Sequence, residues 1–131
     1  MFSYEAPSTW VENPHPSGSR ILEFRAGPAL VTFSILSGVA GGPGANVNRW
    51  RGQVGLDPLS EEAAQASLKP SVFLGKEAWS ADVAGPERSI RCLFTLSEPF
   101  SMFLKMDGPA AAVAAQKETF EAFAASMKVN H

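Results

Sequence analysis

The sequence predicts an α+β domain: an antiparallel sheet of about six strands flanked by helices. Two observations carry this expectation. Strand-like segments come in close pairs joined by glycine turns, "RILEFRA" with "ALVTFSIL" and "SVFL" with "EAWSADV". Such short links suit hairpins and are too short for the crossovers that parallel strands need. Helical patterning is confined to a central stretch and the carboxyl-terminal end, with no repeated strand–helix alternation. At 131 residues, 45% of them hydrophobic, the chain is long enough for one core without a metal or disulfide. One domain over residues 1–131 is expected, with 1–19 as an irregular amino-terminal arm.

The arm, "MFSYEAPSTWVENPHPSGS", is rich in proline, serine and aromatic residues. Tyr4 and Trp10 are expected to dock on the domain. In residues 20–26, Leu22 and Phe24 alternate with Glu23 and Arg25, the period of a half-buried strand. Gly27 and Pro28 turn the chain into residues 29–36, β-branched and apolar enough for a more central strand. The glycines of "SGVAGGPGAN" then break the strand. Pro43 suits a first helical position because its missing N–H would be unpaired there anyway. The helical phase puts Val47, Trp50 and Val54 on one side, and Gly55 closes the helix.

A second short helix follows. Ser60 is its expected cap, Glu61 and Glu62 suit its first turn, and Pro70 ends the region. Residues 71–85 read as two strands around a tight turn at Gly75 and Lys76. In "RSIRCLFTLSE", residues 88–98, Ile90, Cys92, Phe94 and Leu96 share one side while Leu93 and Thr95 take the other. Both faces are apolar, so this strand is expected to be central. In residues 100–108, Met102, Leu104 and Met106 point one way, and Phe103, Lys105 and Asp107 the other. After Gly108 and Pro109, Val113, Phe120, Phe123, Ala124 and Met127 recur at helical spacing. They predict one helix of roughly twenty residues, about 30 Å long.

Charge narrows the function classes. Eleven basic and thirteen acidic side chains leave a formal charge of −2, which argues against bulk attraction to nucleic acid or anionic membrane. The single cysteine cannot form an internal disulfide. No run of 18 apolar residues and no amino-terminal leader pattern is present, so a soluble chain is expected.

The chemistry-bearing stretch is "GGPGANVNRWRGQVGL", residues 41–56. It lacks G-x-x-x-x-G-K-[ST] and G-x-G-x-x-G, so its glycines read as a turn that starts a helix rather than a phosphate cradle. Arg49 and Arg51 offer donor forks for a carboxylate or phosphate, but two apart they cannot share a helical face. Asn46 and Asn48 suit ties to the glycine loop or the helix end. Trp50 suits a core or groove anchor. Lys105 stands on the strand side it shares with Phe103, where its ammonium must reach solvent or an acidic partner, with Asp107 as the local candidate. His15, His131 and Cys92 are too scattered for a metal site or a nucleophilic set. Adjacent Glu61 and Glu62 do not form a general acid–base pair.

The same stretch resembles the motif G-G-x-x-x-N-V-N-R-W-R-x-Q-x-G-L of a family of small bacterial proteins, some of them lipoproteins. Gly41, Gly42, Asn46, Val47, Asn48, Arg49, Trp50, Arg51, Gln53, Gly55 and Leu56 are the matching positions. Weaker similarity continues through "DVAG" at 82–85, "FLKMDGP" at 103–109 and "QKETFEAF" at 116–123. The resemblance implies a PsbP-like fold, an antiparallel sheet between helices, and a binding or assembly role with no required cofactor. The motif positions carry no catalytic assignment.

The expected function is therefore a non-enzymatic binding or accessory domain for a protein or an anionic small ligand. Its expected surface comprises Asn46, Asn48, Arg49, Trp50, Arg51, Gln53 and Lys105. An enzyme acting on a small anionic substrate and a structural or envelope assembly component are the alternatives. No metal, cofactor, nucleic acid or transmembrane segment is expected, and the oligomeric state is left open. Without the leader and lipid-attachment cysteine of the lipoprotein members, the expected location is the cytoplasm or an exported form trimmed of its leader.

Overall fold

The structure is a computed structural model that describes residues 2–130; His131 lies outside them. The elements in chain order are β1 (Phe2–Ser3), β2 (Val11–Glu12), β3 (Arg20–Ala26), β4 (Ala29–Ser37), α1 (Pro43–Gln53), α2 (Glu61–Ala66), β5 (Lys69–Phe73), β6 (Lys76–Ala84), β7 (Arg88–Thr95), β8 (Phe100–Pro109), α3 (Ala110–Ala115), α4 (Lys117–Ser126) and β9 (Lys128–Val129). Seven strands form one antiparallel sheet in the order β2-β3-β4-β8-β7-β6-β5. This is the expected α+β architecture, with β2 from the arm making the sheet one strand wider than its predicted size. β1 and β9 pair separately, tying the two ends of the chain together.

Alternation along the strands sorts side chains to two faces. One face carries Phe24 and Ala26 of β3, Val31 and Phe33 of β4, Leu93 of β7, and Leu104 and Met106 of β8. It packs against Val113 of α3 and Phe120, Phe123 and Ala124 of α4. Trp10 and Tyr4 of the arm close over Phe24 and Phe123 with ring centroids 5.1–5.9 Å apart. The opposite face carries Ala81, Val83, Ile90, Cys92, Phe94 and Phe103 under Val47, Trp50 and Val54 of the α1 segment and Ala64 and Leu68 of the α2 region.

Four sequence expectations need correction. The carboxyl-terminal helix is two helices broken at Gln116, whose φ and ψ of −96° and 8° leave the helical range. Two side chains bond at the break. Arg91 donates to the Val113 carbonyl, and the Trp10 indole donates to Gln116 Oε1 at 3.3 Å. Pro70 does not end the helical region but lies inside β5, an edge strand of the sheet where a residue without an N–H is tolerated. The arm contains two short strands rather than only irregular chain. Asp107 does not partner Lys105; it pairs with Arg88.

The turn between β5 and β6 takes Leu74 and Gly75 to φ values of 53° and 75°. Two positive φ values in a two-residue loop match the right-handed twist of the hairpin, and this is where the glycine is needed. At the start of α2, the Ser60 hydroxyl accepts the Ala63 N–H at 3.1 Å, as its capping role requires. Cys92 is fully buried. Burial pushes its thiol far above the ordinary range, with only partial opposition from the positive charges of Lys105 and Arg49, so it is no nucleophile.

Candidate functional site

The motif helix is positioned by its own amides. Ala40, Gly41 and Gly42 run through φ values of 52°, 84° and 96° before Pro43 opens α1. Asn46, fully buried, stabilises this left-handed run. Its Nδ2 donates to the Gly42 carbonyl at 2.7 Å and the Ala40 carbonyl at 3.4 Å, while its Oδ1 accepts from the Arg49 guanidinium. Gly44 is needed for close approach rather than for its backbone angles. A Cβ there would stand 2.9 Å from the Glu61 carbonyl oxygen, and its absence lets α2 lie against α1.

The remaining polar residues of the motif divide sharply. Asn48 makes a reciprocal pair with the Leu59 backbone, donating to its carbonyl at 2.9 Å and accepting its N–H at 2.8 Å. Arg51 Nε donates to the Asp57 carbonyl at 2.7 Å. Both therefore hold the loop between α1 and α2. Gln53 is exposed at the end of α1. Trp50 is only 1% exposed and stands edge-on to Phe94 and Phe103, at 5.3 and 6.4 Å. The Arg49 guanidinium lies 5.7 Å from the centre of the Trp50 ring, a cation–π separation.

Arg49, Trp50 and Lys105 come together. They line a cavity of about 120 Å³ with Ser19, Arg20, Thr32, Ser34, Leu36 and Phe103. That space is several times the roughly 10–15 Å³ that one water needs. Strand register builds its floor: Thr32 is opposite Lys105, Ser34 is opposite Phe103, and Arg20 is opposite Ser34. α1 forms one wall. The cavity exists because the α1-side cluster contains residues of β6, β7 and β8 but none from β3. The helices cover one half of that sheet face and stop.

The electrostatics of the cavity are one-sided. Arg20 is neutralised by Glu23 at 2.6 Å. Lys105 makes no ion pair among the described residues, and the Arg49 head group is bonded only to a neutral amide. Among the described residues the lining contains no carboxylate, imidazole or thiol. Sequence reading found the two cations and the tryptophan. It did not find Thr32 and Ser34, although their alternation through the apolar run "ALVTFSIL" was the available signal that one face of that strand is wet.

A second cavity, of about 180 Å³, lies on the other side of the sheet and includes Asp82, Arg91, Phe120 and Glu121. Its one cation is already engaged, Arg91 bonding Asp82 at 2.6 Å and the Val113 carbonyl at 2.9 Å, and the further charge is the Glu121 carboxylate, which disfavours an anion there. No three histidine, cysteine, aspartate or glutamate side chains gather as a metal set among the described residues.

The sequence matches no protein-family model and no curated protein. Solved structures do resemble it. Cyanobacterial PsbP from Synechocystis sp. PCC 6803 superposes with a TM-score of 0.57 at 13% identity, over 98% of this chain and 86% of that one. LpqN of Mycobacterium tuberculosis, involved in cell envelope biogenesis, gives 0.57 at 14% identity, over 100% and 84%. A Bacteroides thetaiotaomicron protein gives 0.57 at 13% identity over 99% of this chain, which spans 45% of that protein's length. The fold is PsbP-like, and at these identities the likeness is one of fold alone.

Proposed function

We propose that the chain is a non-enzymatic accessory domain that binds a small anion in the cavity between α1 and the β4–β8 pair. One observation carries the reading: Arg49 and Lys105 line the same cavity without a carboxylate among the described residues to neutralise either. Partly enclosed cations of like sign favour an anionic guest, because low-dielectric walls strengthen the attraction. The absence of carboxylate, imidazole and thiol side chains from the described lining residues favours binding over acid–base or nucleophilic chemistry.

Within this reading the motif residues have two roles. Arg49, Trp50 and Lys105 meet the ligand. Asn46, Asn48 and Arg51 hold α1 in place, and Gln53 belongs to the outer surface. Membership in the small bacterial family that shares the motif is part of the same proposal, as is residues 1–131 acting as one unit. The envelope role of LpqN supports an envelope-associated setting for this chain.

Isothermal titration with phosphate, sulfate and acetate tests the anion reading. Wild type is expected to bind at least one of the three, and Arg49→Ala and Lys105→Ala are each expected to weaken that binding about tenfold. Unchanged circular dichroism confirms that the variants fold. Equal heats for wild type and both folded variants would contradict the proposal.

A further inference from the structure

The cavity carries more information than its sign, and its lining specifies a class of anion. Two of its cations, Arg49 and Lys105, have no carboxylate partner among the described residues. A monocarboxylate would neutralise one and leave the other. A phosphate monoester carries about −1.5 to −2 charges near neutral pH and three acceptor oxygens. The donors match that demand. Thr32 and Ser34 on β4, and Ser19 just before β3, are hydroxyl-bearing residues of the same lining as Arg49 and Lys105. Leu36, with the largely buried Phe103 and Trp50 rings behind it, gives the lining an apolar wall, which suits an organic stem.

We propose that the cavity binds a phosphomonoester dianion, its phosphoryl oxygens between Arg49 and Lys105 and its organic stem against Trp50, Phe103 and Leu36. This assignment rests on the anion reading above and narrows it. The glycine loop before α1 takes no part, because Arg49 and Trp50 stand in the body of the helix and the Gly42 carbonyl is engaged by Asn46.

Protonation state is the sharpest discriminator. A phosphomonoester loses its second proton near pH 6, whereas sulfate remains a dianion throughout the range from pH 5 to 7.5. The charged and titratable groups around the site are Arg20, Glu23 and Arg25 of β3, Arg49 of α1, Lys105 of β8, Asp107 of β8 paired with Arg88 of β7, and Cys92 of β7 beside Lys105 in the register. The Asn13 amide and Arg20 hold the Glu23 carboxyl below its ordinary range. Burial holds the Cys92 thiol protonated. Among the described residues the lining holds no imidazole, so the ligand itself is the group in the cavity expected to titrate between pH 5 and 7.5.

The test is calorimetric titration of the full chain with phenyl phosphate, inorganic phosphate, sulfate and benzoate at pH 7.5 and pH 5.0. Phenyl phosphate is expected to bind more tightly than inorganic phosphate and benzoate, and about tenfold more weakly at pH 5.0, following its dianion fraction. Sulfate affinity is expected to stay constant. Lys105→Gln is expected to weaken phenyl phosphate at least tenfold. It carries the test if Arg49→Gln fails to fold, because Lys105 makes no ion pair with the described residues.

Benzoate binding as tightly as phenyl phosphate, with no pH effect on either, would overturn the phosphoryl assignment and leave the anion cavity standing. Equal affinity for phenyl and inorganic phosphate would overturn the stem contact. Indifference of every anion to both folded variants would overturn the assignment and the anion reading together. Co-sedimentation with phosphatidic acid vesicles that Lys105→Gln abolishes would support the same head-group chemistry and give its source as a lipid.

Discussion

The two faces of the sheet are built from the same strands and end differently. On the α4 side, Phe24, Phe33, Phe120 and Phe123 mesh with Trp10 and Met127 across the width of the sheet. The α1 side is equally apolar under Trp50, with Phe94 and Phe103 stacked at 5.6 Å. It then changes character at β4, where Thr32 and Ser34 meet Lys105 and Phe103 in register. A closed face uses its side chains for stability. A half-covered face leaves polar and charged groups beside an apolar wall, and that is the setting in which a ligand finds both orientation and burial.

Substitutions at the centres of the two faces should cost the most and should not distinguish them. Phe123→Ala and Trp50→Ala are each expected to lose about 3–5 kcal/mol in urea unfolding. A cost below about 1 kcal/mol for Trp50→Ala would mean that α1 is not integral to the core. Asn46→Ala should come next. It strips a buried partner from two carbonyls and from Arg49, with an expected cost of about 1–3 kcal/mol in the same assay.

The comparison is sharpened by Lys105→Ala and Arg49→Ala. Lys105→Ala is expected to change stability by no more than about 0.5 kcal/mol while weakening anion binding, the opposite of the core variants. Arg49→Ala also strips the buried Asn46 Oδ1 of its donor and should cost about 1–3 kcal/mol beside its loss of binding. Loss of the exposed Arg88–Asp107 pair through Arg88→Ala should cost only about 0.2–1 kcal/mol, screened further by salt.

The smallest effect concerns pH. The Asn13 amide, then Arg20, lower the Glu23 pKa in the folded chain below its ordinary 4.5. The stability this adds is present above that value and disappears as pH falls through the depressed folded value. A side-chain NMR titration should place the Glu23 midpoint below 4.5, and Arg20→Ala should raise it.

The sheet was legible in the sequence because hairpin turns and alternation are local signals. Leu22 and Phe24 against Glu23 and Arg25 define β3, and Ile90, Cys92 and Phe94 on one side with Leu93 and Thr95 on the other mark a strand covered on both faces. The break at Gln116 was not legible. It involves Arg91 and Trp10, residues remote in sequence, and "AAAVAAQKETFEAFAAS" contains no glycine or proline to mark it. The candidate site was legible in part. Arg49, Trp50 and Lys105 stood out by residue type, but only the register that sets Lys105 opposite Thr32 places them in one cavity. Arg51 and Asn48 looked equivalent to Arg49 and Asn46 until the loop at Asp57–Leu59 was seen to occupy them.

The central claim is that ligand, α1 and β8 meet at Trp50. The indole N–H resonances of the three tryptophans during titration of the isotope-labelled chain with phenyl phosphate test it most directly. The Trp50 resonance is expected to shift saturably with those of Trp10 and Trp79 unmoved, and Lys105→Gln is expected to abolish the shift. A saturable shift at Trp10 or Trp79 with Trp50 stationary would contradict the account.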